Sequence, residues 1–513
     1  MAKVSLKLGT RRSALARAQS GAVARRLEAL HPGLRIELVG IDTRGDRITD
    51  VPLAQLDGKA FFTAEIDEAL LDGTVDLNVH SFKDLSLERS PKIFLGAVPR
   101  RENPRDIALF APDVRARIAS GVPLRIGTSS PRRAAFVPDF LRRALPGRPV
   151  VQLADLRGNV DTRLRRLHEP RGSERALDGI VLAFAGLARL AVDESVGGRA
   201  LLEGLLAGLP RMLLPLTASP GAPGQGALAV ECRTSDARTR ALLAAFDDAP
   251  TRAAVAAERV LLAERGGGCH QRFGATRVDV PSLGSLLYVR DDGEAGPRPL
   301  DLRWTPATPL PALPAVRRPW DGSVAPAPGI EPVAGAAERC AAALATARAL
   351  LVTHRRALPD LPPPLLDACP RIWVPGTETW FALAERRVWV EGCAEGLGFG
   401  TLAPLLGEPV LQLPRETEWL VFTHAGAVDV WPAGQAIATY AHANVVESEA
   451  PPADTTHYYW HSGAQYERWR DRIASGAHHA CGFGRTAERL ERDGVTPRSV
   501  FPSAAQWRAW VQS

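Results

Sequence analysis

The sequence predicts an α/β protein of several domains, and three observations carry that expectation. Short Val/Ile/Leu runs alternate with amphipathic helical stretches until about Trp304. A chain of 513 residues is longer than one hydrophobic core serves, which asks for three or more domains. The composition then changes: all 11 Trp lie at or after Trp304, and a Pro-rich stretch, expected to be a linker or irregular loop, runs from Pro306 to Pro332.

Val4–Leu8 alternates polar and apolar residues and reads as a strand. Gly9-Thr10-Arg11-Arg12-Ser13 follows as a loop, with Ser13 as N-cap of a helix from Ala14 to about Leu30. His31-Pro32-Gly33 stops that helix, and Leu34–Gly40 is the next strand. A helix is expected over Ala64–Leu71 and a strand over Asp76–His80. A second unit starts near Arg105. In it, strand Arg125–Gly127 runs into Thr128-Ser129-Ser130-Pro131-Arg132-Arg133 and a helix, and strands recur at Val150–Leu156 and Gly179–Phe184. A helix over Ala336–Leu351 either closes the third domain or opens the next.

Hydrophobic content of 45% and charged content of 23% are ordinary for soluble protein. No apolar run approaches the roughly 20 residues of a membrane span. The N-terminus is strand-like rather than a signal peptide. Six cysteines form no CxxC pair, so neither a zinc ribbon nor a disulfide framework is expected, nor any metal. These features predict a cytoplasmic protein with reduced thiols. The net charge is +6, yet no basic block interleaved with aromatics occurs, so an anionic small substrate is expected rather than nucleic acid or membrane. The only lysines are 3, 7, 59, 83 and 92. Against so many arginines, Lys59 and Lys83 stand out as positions that need an ammonium group or retain one by chance.

Several loops leave strand ends and enter helix N-termini, where unpaired backbone N–H groups favour anions. Arg11 either forks onto a carboxylate there or sits solvated beside an ordinary cap. Ser129, Arg132 and Arg133 likewise form an anion site or a capped helix with exposed arginines. In Leu156-Arg157-Gly158-Asn159-Val160-Asp161-Thr162-Arg163, a turn can aim Arg157 and Arg163 at one cleft. Asp84 follows Lys83 in Val79-His80-Ser81-Phe82-Lys83-Asp84. Beside an ammonium it stays ionised and can steady a cation or move a proton, or the two form a structural salt bridge. Cys269, after Gly266-Gly267-Gly268, has room for a bulky adduct or is a free thiol in a loop. His457, His461 and His478-His479-Ala480-Cys481 suggest metal ligation, but the segment around His457 reads as a strand, which does not put His457 and His461 on one helical face.

Taken together and in order, these motifs resemble the porphobilinogen deaminase (hydroxymethylbilane synthase) family over about residues 4–275. Thr43-Arg44-Gly45-Asp46, Gly58-Lys59, Pro104-Arg105-Asp106, Ala185-Gly186-Leu187 and Pro223-Gly224-Gln225-Gly226-Ala227 extend the match. The resemblance implies two periplasmic-binding-protein-like lobes with a cleft, a small α/β third domain and an additional C-terminal α/β domain. The expected bounds are 1–104 with 200–228 for the first domain, 105–199 for the second, 229–351 for the third and 352–513 for the last. The resemblance also implies a covalent dipyrromethane cofactor, thioether-linked to Cys269, and porphobilinogen as substrate of a monomeric enzyme. Asp84 with Lys83 would be catalytic. Arg11, Ser13, Lys59, Ser81, Lys83, Ser129, Arg132, Arg133, Arg157 and Arg163 would hold cofactor and substrate, mainly by their acetate and propionate groups. Four condensations and a hydrolysis would release linear hydroxymethylbilane.

The sequence departs from the family pattern at His270-Gln271-Arg272-Phe273-Gly274, Leu85-Ser86 and Ala60. In the tail, Trp419-Leu420-Val421-Phe422-Thr423-His424, Ala438-Thr439-Tyr440, and Cys481–Ala487 through Pro502-Ser503 loosely resemble uroporphyrinogen-III synthase, although the tail after residue 351 is short for two lobes. Two other classes compete with a deaminase: a two-lobed anion-binding protein without catalysis, and a transferase using Cys269 as nucleophile.

Overall fold

The computed structural model describes residues 4–43, 63–193, 198–267, 271–293, 296–322, 329–367, 371–442 and 450–513. The chain forms two compact units. Unit 1 comprises Met1–Arg142, Arg148–Val278 and Leu287–Arg303; unit 2 comprises Arg143–Gly147, Asp279–Leu286 and Trp304–Ser513.

Unit 1 opens with β1 (Val4–Arg11), β2 (Leu34–Ile41), β3 (Leu77–Ser81) and β4 (Ile93–Ala97). The chain leaves for a second sheet, β5 (Asp106–Phe110), β6 (Leu124–Gly127), β7 (Val151–Ala154), β8 (Gly179–Ala183) and β9 (Arg211–Leu213), then returns as β10 (Leu228–Arg233). The sheet orders are β2-β1-β3-β10-β4 and β7-β6-β8-β5-β9. They correspond position for position. In each, the strand that follows a crossing between sheets takes fourth place and runs antiparallel to its neighbours. Two lobes that exchange strands through paired crossings are the periplasmic-binding-protein-like arrangement the resemblance implied.

Local chemistry explains much of this. Helix α1 (Ala14–Leu30) begins where the Ser13 hydroxyl accepts a hydrogen bond from the Ala16 N–H at 3.3 Å. Its Val23, Ala24 and Leu27 meet Leu6, Leu8, Leu77 and Val79 in the first lobe's core. Helix α2 (Ala64–Leu71) has the expected bounds. Strand β1 runs past the expected Leu8 because Gly9, Thr10 and Arg11 stay paired with Val39, Gly40 and Ile41.

Residues 200–213, expected with the first domain, belong to the second lobe. Strand β9 pairs with β5, and the helix Gly198–Leu206 packs on helices Val160–Arg165 and Phe184–Ala191. After β10 comes helix α3 (Ala249–Ala263), whose Leu261 packs with Phe273, Ala275 and Val289 from β11 (Phe273–Val280) and β12 (Gly284–Gly293). Strands β13 (Gly296–Pro297) and β14 (Asp301–Pro306) follow.

Unit 2 contains β15 (Pro319–Trp320), β16 (Ile330–Pro332), β17 (Ala349–Val352), β18 (Ile372–Val374), β19 (Gly392–Cys393), β20 (Trp419–His424), β21 (Ala436–His442), β22 (His457–Trp460), β23 (His478–Gly482) and β24 (Arg498–Phe501). They form a parallel sheet, β15-β22-β23-β24, and a six-stranded one, β16-β21-β20-β17-β18-β19, antiparallel only at β16. Two sheet expectations change here. The helix expected over 336–351 ends at Leu344, and Ala349–Val352 is a buried inner strand, which suits four apolar residues in a row. The last domain also begins earlier than residue 352. The Pro-rich stretch supplies an edge strand to each sheet, where a missing N–H donor is tolerated. Trp373, Trp380, Trp419, Trp460 and Trp507 are fully buried in this unit, which accounts for the late onset of Trp in the chain.

Candidate active site

Lys83 and Asp84 lie on a one-turn helix, Phe82–Asp84, directly after β3. Phe82 anchors it: the ring is buried with Leu85, Val98, Ala227 and Val255, and its N–H donates to the Ala227 carbonyl at 3.0 Å. Gly224 comes in close on the other side. At φ +78° it adopts a conformation that favours glycine, and a Cβ there would lie 3.2 Å from Phe82 Cβ and 3.3 Å from the Lys83 nitrogen. The Arg259 guanidinium of α3 donates to the carbonyls of Leu85 (3.2 Å) and Ser86 (2.7 Å), fixing the exit of the turn. Asp84 is thereby held exposed and Lys83 half-buried. Burial pushes the Lys83 pKa down, while Asp84 beside it pulls the other way.

The second lobe brings the arginines. Arg157 keeps Nε and Nη2 buried with no hydrogen-bond partner. Arg163 donates from Nε to the Gly158 carbonyl at 2.7 Å. Its pKa is pushed down to about 10 by burial and by Arg133 and Arg157, against Asp155 and Asp84. Lys83 in turn feels Arg133, Asp106 and Arg132. The carboxylate and ammonium of one lobe and the guanidinium cluster of the other therefore share one electrostatic neighbourhood.

Not every expected ligand faces that space. Arg132 is 3% exposed; it donates to Asp106 Oδ2 (2.7 Å), the Pro220 carbonyl (2.7 Å) and the Ser219 hydroxyl (3.3 Å). Arg133 donates to Asp106 Oδ1 (2.8 Å) and the Val181 carbonyl (3.0 Å). Gln225 Nε2 adds a third side-chain bond to Asp106 at 2.9 Å. Burial alone would raise the Asp106 pKa, but the two arginines outweigh it and hold it well below the carboxylate range. Both arginines thus spend their outer nitrogens inside the protein, because the sequence places a buried acid at the start of β5. Ser129 is committed too: its hydroxyl donates to the Leu156 carbonyl and accepts from the Leu156 N–H, clipping two site loops together. Ser13 caps α1, and Ser81 accepts from Gln19 Nε2 at 3.1 Å. Arg11 ends β1, close enough to His80 to help lower its pKa to about 4, after burial as the main cause and against Asp67.

Lys59 and Cys269 lie outside the described residues. The stem of the cysteine loop is described. Gln271 Nε2 donates to the carbonyls of Arg265 (3.1 Å) and Gly267 (3.2 Å), and a Cβ on Gly267 would meet Leu87 Cδ1 at 2.7 Å. Gly267, just past α3, therefore lies beside the segment that follows Asp84.

Sequence reasoning missed a hub. Glu258, fully buried on α3, accepts from Arg101 Nη1 (2.6 Å) and Nη2 (3.1 Å), Gly224 N (2.7 Å) and Arg277 N (2.7 Å). One carboxylate thus ties both crossing segments to α3 and β11. The signal was faint: a lone acid within an apolar helical stretch. Among the described residues, Asp67, His80 and Glu231 have metal-ligand spacing, but Arg89 donates to both acids, an ion-paired core arrangement. His457 and His478 instead pack ring to ring, 5.7 Å apart.

Unit 2 has its own cleft, of about 770 Å³. Its lining includes His424, Tyr440, Arg485 and Pro502.

Two lobes of matching strand order, one exposed acid and a guanidinium cluster with orphaned buried nitrogens define a two-lobed α/β enzyme that handles a polycarboxylate. Comparison with known proteins narrows this. The family profile "Porphobilinogen deaminase, dipyromethane cofactor binding domain" matches residues 6–241. The porphobilinogen deaminase of Syntrophotalea carbinolica is 45% identical over 271 residues, covering 52% of this chain and 77% of its own. Those of Acidothermus cellulolyticus (45% identical; 53% and 75% covered) and Syntrophobacter fumaroxidans (43%; 56% and 85%) agree. The chain belongs to the porphobilinogen deaminase family. No helix among the described residues is long and apolar enough to cross a membrane.

Proposed function

We infer that this chain is a hydroxymethylbilane synthase. It deaminates porphobilinogen and joins four units head to tail on a dipyrromethane primer, releasing the linear tetrapyrrole. The observation that carries this reading is Asp84, exposed on an anchored turn and coupled to Arg163, which in turn neighbours Arg157, whose buried Nε and Nη2 make no hydrogen bond. That donor set fits dipyrromethane, which carries several carboxylates and would be thioether-linked to Cys269. When bound, this group supplies the pyrrole carbon that attacks the incoming unit.

The rest of the chemistry belongs to the chain. Asp84 pairs with the ammonium arm of porphobilinogen. As ammonia leaves, it stays beside the pyrrole N–H, where positive charge develops. Lys83 stands beside Asp84 and, with Arg157, Arg163 and Arg11, receives the carboxylates each unit adds. Lys59 is assigned the same role. Arg132, Arg133, Ser129, Ser13 and Ser81 position loops rather than hold ligand. Tethering replaces a bimolecular encounter by an intramolecular one. In this reading the enzyme is monomeric and cytoplasmic, without nucleic-acid or membrane partners, and the cysteine domain spans roughly α3 to β14.

Intact-protein mass tests it. The expected result is added mass equal to two linked pyrroles, absent in Cys269→Ser, and a large loss of kcat in Asp84→Asn with the adduct retained. A bare mass that porphobilinogen never changes, with Asp84→Asn neutral, supports the non-catalytic anion-binding protein instead. A pyrrole-free thiol that turns over another substrate supports the Cys269 transferase.

For unit 2 a second reading is uroporphyrinogen-III synthase activity, favoured by the way the three tail stretches that loosely resemble it each contribute to one cleft. Its test is the uroporphyrin isomer formed from porphobilinogen after oxidation. Isomer III supports it, and isomer I alone refutes it.

A further inference from the structure

The cleft of unit 2 lies where parallel strands end. Thr353 and His354 follow β17, Pro375 follows β18, His424 closes β20, His461 follows β22 and Pro502 follows β24; all face the cleft. Ligands of open α/β sheets bind at the carboxyl ends of strands, outside the core. The lining carries Arg355, Arg356, Arg485 and Arg489 and one carboxylate, Glu467, which pairs with Arg489 at 3.2 Å; outside the lining, Asp493 also pairs with Arg489 at 2.9 Å and Glu488 with Arg485 at 3.5 Å. Such a lining selects an anion.

Four histidines line the cleft, His461 among them, and three of the four cluster around Tyr440. The rings of His424 and His442 lie 5.0 Å apart, and Tyr440 packs against His424 (5.9 Å), His442 (5.5 Å) and His354 (6.3 Å). His354 also accepts the Arg356 N–H at 3.2 Å, so the cluster is joined to the arginine pair. We propose that His354, His424 and His442 are the adjustable part of a polycarboxylate site, taking up protons as a multiply charged ligand enters. This rests on the synthase reading of unit 2 and adds to it a residue set and a proton count.

The physical argument is charge balance. Burial pushes all three imidazoles below their usual pKa, His424 to about 4; His354 also feels Arg356 and Arg355, His442 feels Arg468 and Arg356, and His424 feels the other two imidazoles. The facing charges are Arg355 and Arg356 from the turn after β17, Arg468 and Glu467 from the helix Gly463–Trp469, and Arg485 and Arg489 from the helix Arg485–Arg492. Glu331 on β16 is paired beside Ala441, and Asp429 lies on the short helix after His424. Neutral imidazoles add no further positive charge beside the arginines. Carboxylates placed among them favour the charged form and raise their pKa. The bound pKa then exceeds the free one. Affinity is therefore gained as pH falls through the bound value and levels off below the free value.

The test uses the full-length chain and uroporphyrin I, an octacarboxylate, as probe. Its affinity is measured between pH 8 and pH 6 for wild type and for H354N/H424Q/H442Q. The variant differs from wild type only in unit 2, so the difference excludes binding in unit 1. Wild type is expected to bind about tenfold tighter at pH 6 than at pH 8, with proton uptake visible by calorimetry in two buffers; the triple variant changes less than threefold. H442Q, at an exposed position, guards against misfolding and should lose part of the pH dependence. Binding in the cleft with no proton uptake, or uptake unaltered in both variants, overturns the histidine proposal while leaving the synthase reading intact. No binding that R355A/R356A abolishes overturns both.

Discussion

Replacing Asp106 by Asn probes the joint between the lobes. Asp106 is fully buried and receives Arg132 Nη2 at 2.7 Å, Arg133 Nη2 at 2.8 Å and Gln225 Nε2 at 2.9 Å. Two of these donors are guanidiniums that are themselves 3% and 6% exposed. The Asn amide cannot accept at both ends, so one guanidinium loses its partner and both lose a counter-charge. Breaking a buried pair in this way costs about 3–5 kcal/mol. Taking the lower end, since one acceptor survives, local opening should be roughly a hundredfold easier. Hydrogen exchange by mass spectrometry reads this locally and needs no two-state assumption for so large a chain. Peptides covering β5 and residues 214–227 should exchange roughly a hundredfold faster, while those of β20–β23 stay unchanged. The pH dependence has a definite sign. Folding depresses the Asp106 pKa below its unfolded value of about 3.9, so the stabilisation is complete above about pH 4 and is lost as pH falls toward the folded value. The Asn variant carries its deficit at neutral pH and shows no further acid loss from this position. Exchange rates within threefold of wild type would refute the reasoning.

Arg157→Ala should weaken carboxylate binding by about 2 kcal/mol, a thirtyfold rise in KM or a failure to retain the pyrrole adduct, and Arg157→Lys should not restore it because an ammonium lacks the planar fork. Steady-state kinetics and intact mass decide this together. Gly224→Ala should cost about 1–2 kcal/mol from its positive φ alone and also lower kcat, because the new methyl presses on the turn that carries Lys83 and Asp84; unchanged kcat would separate that turn from catalysis.

Local signals were legible along the chain. Ser13 announced a helix start because a cap needs only its own N–H groups three residues on, and α2 could be bounded from its apolar spacing. The Lys83-Asp84 pair and the Arg157 to Arg163 turn were also visible, since each is a short stretch with its chemistry in adjacent residues. What contacts distant in sequence decide was not. That Arg132 and Arg133 each give a terminal nitrogen to Asp106, some 26 residues earlier in the chain, could not be read from their own segment. Residues 200–213 joined the second lobe because β9 found an edge on β5, and Ala349–Val352 left its expected helix to become an inner strand of unit 2. The glutamate hub at Glu258 joins segments more than 150 residues apart. Propensity and capping act over a few residues, whereas the desolvation that commits a charge to one partner exists only after the chain has closed around it.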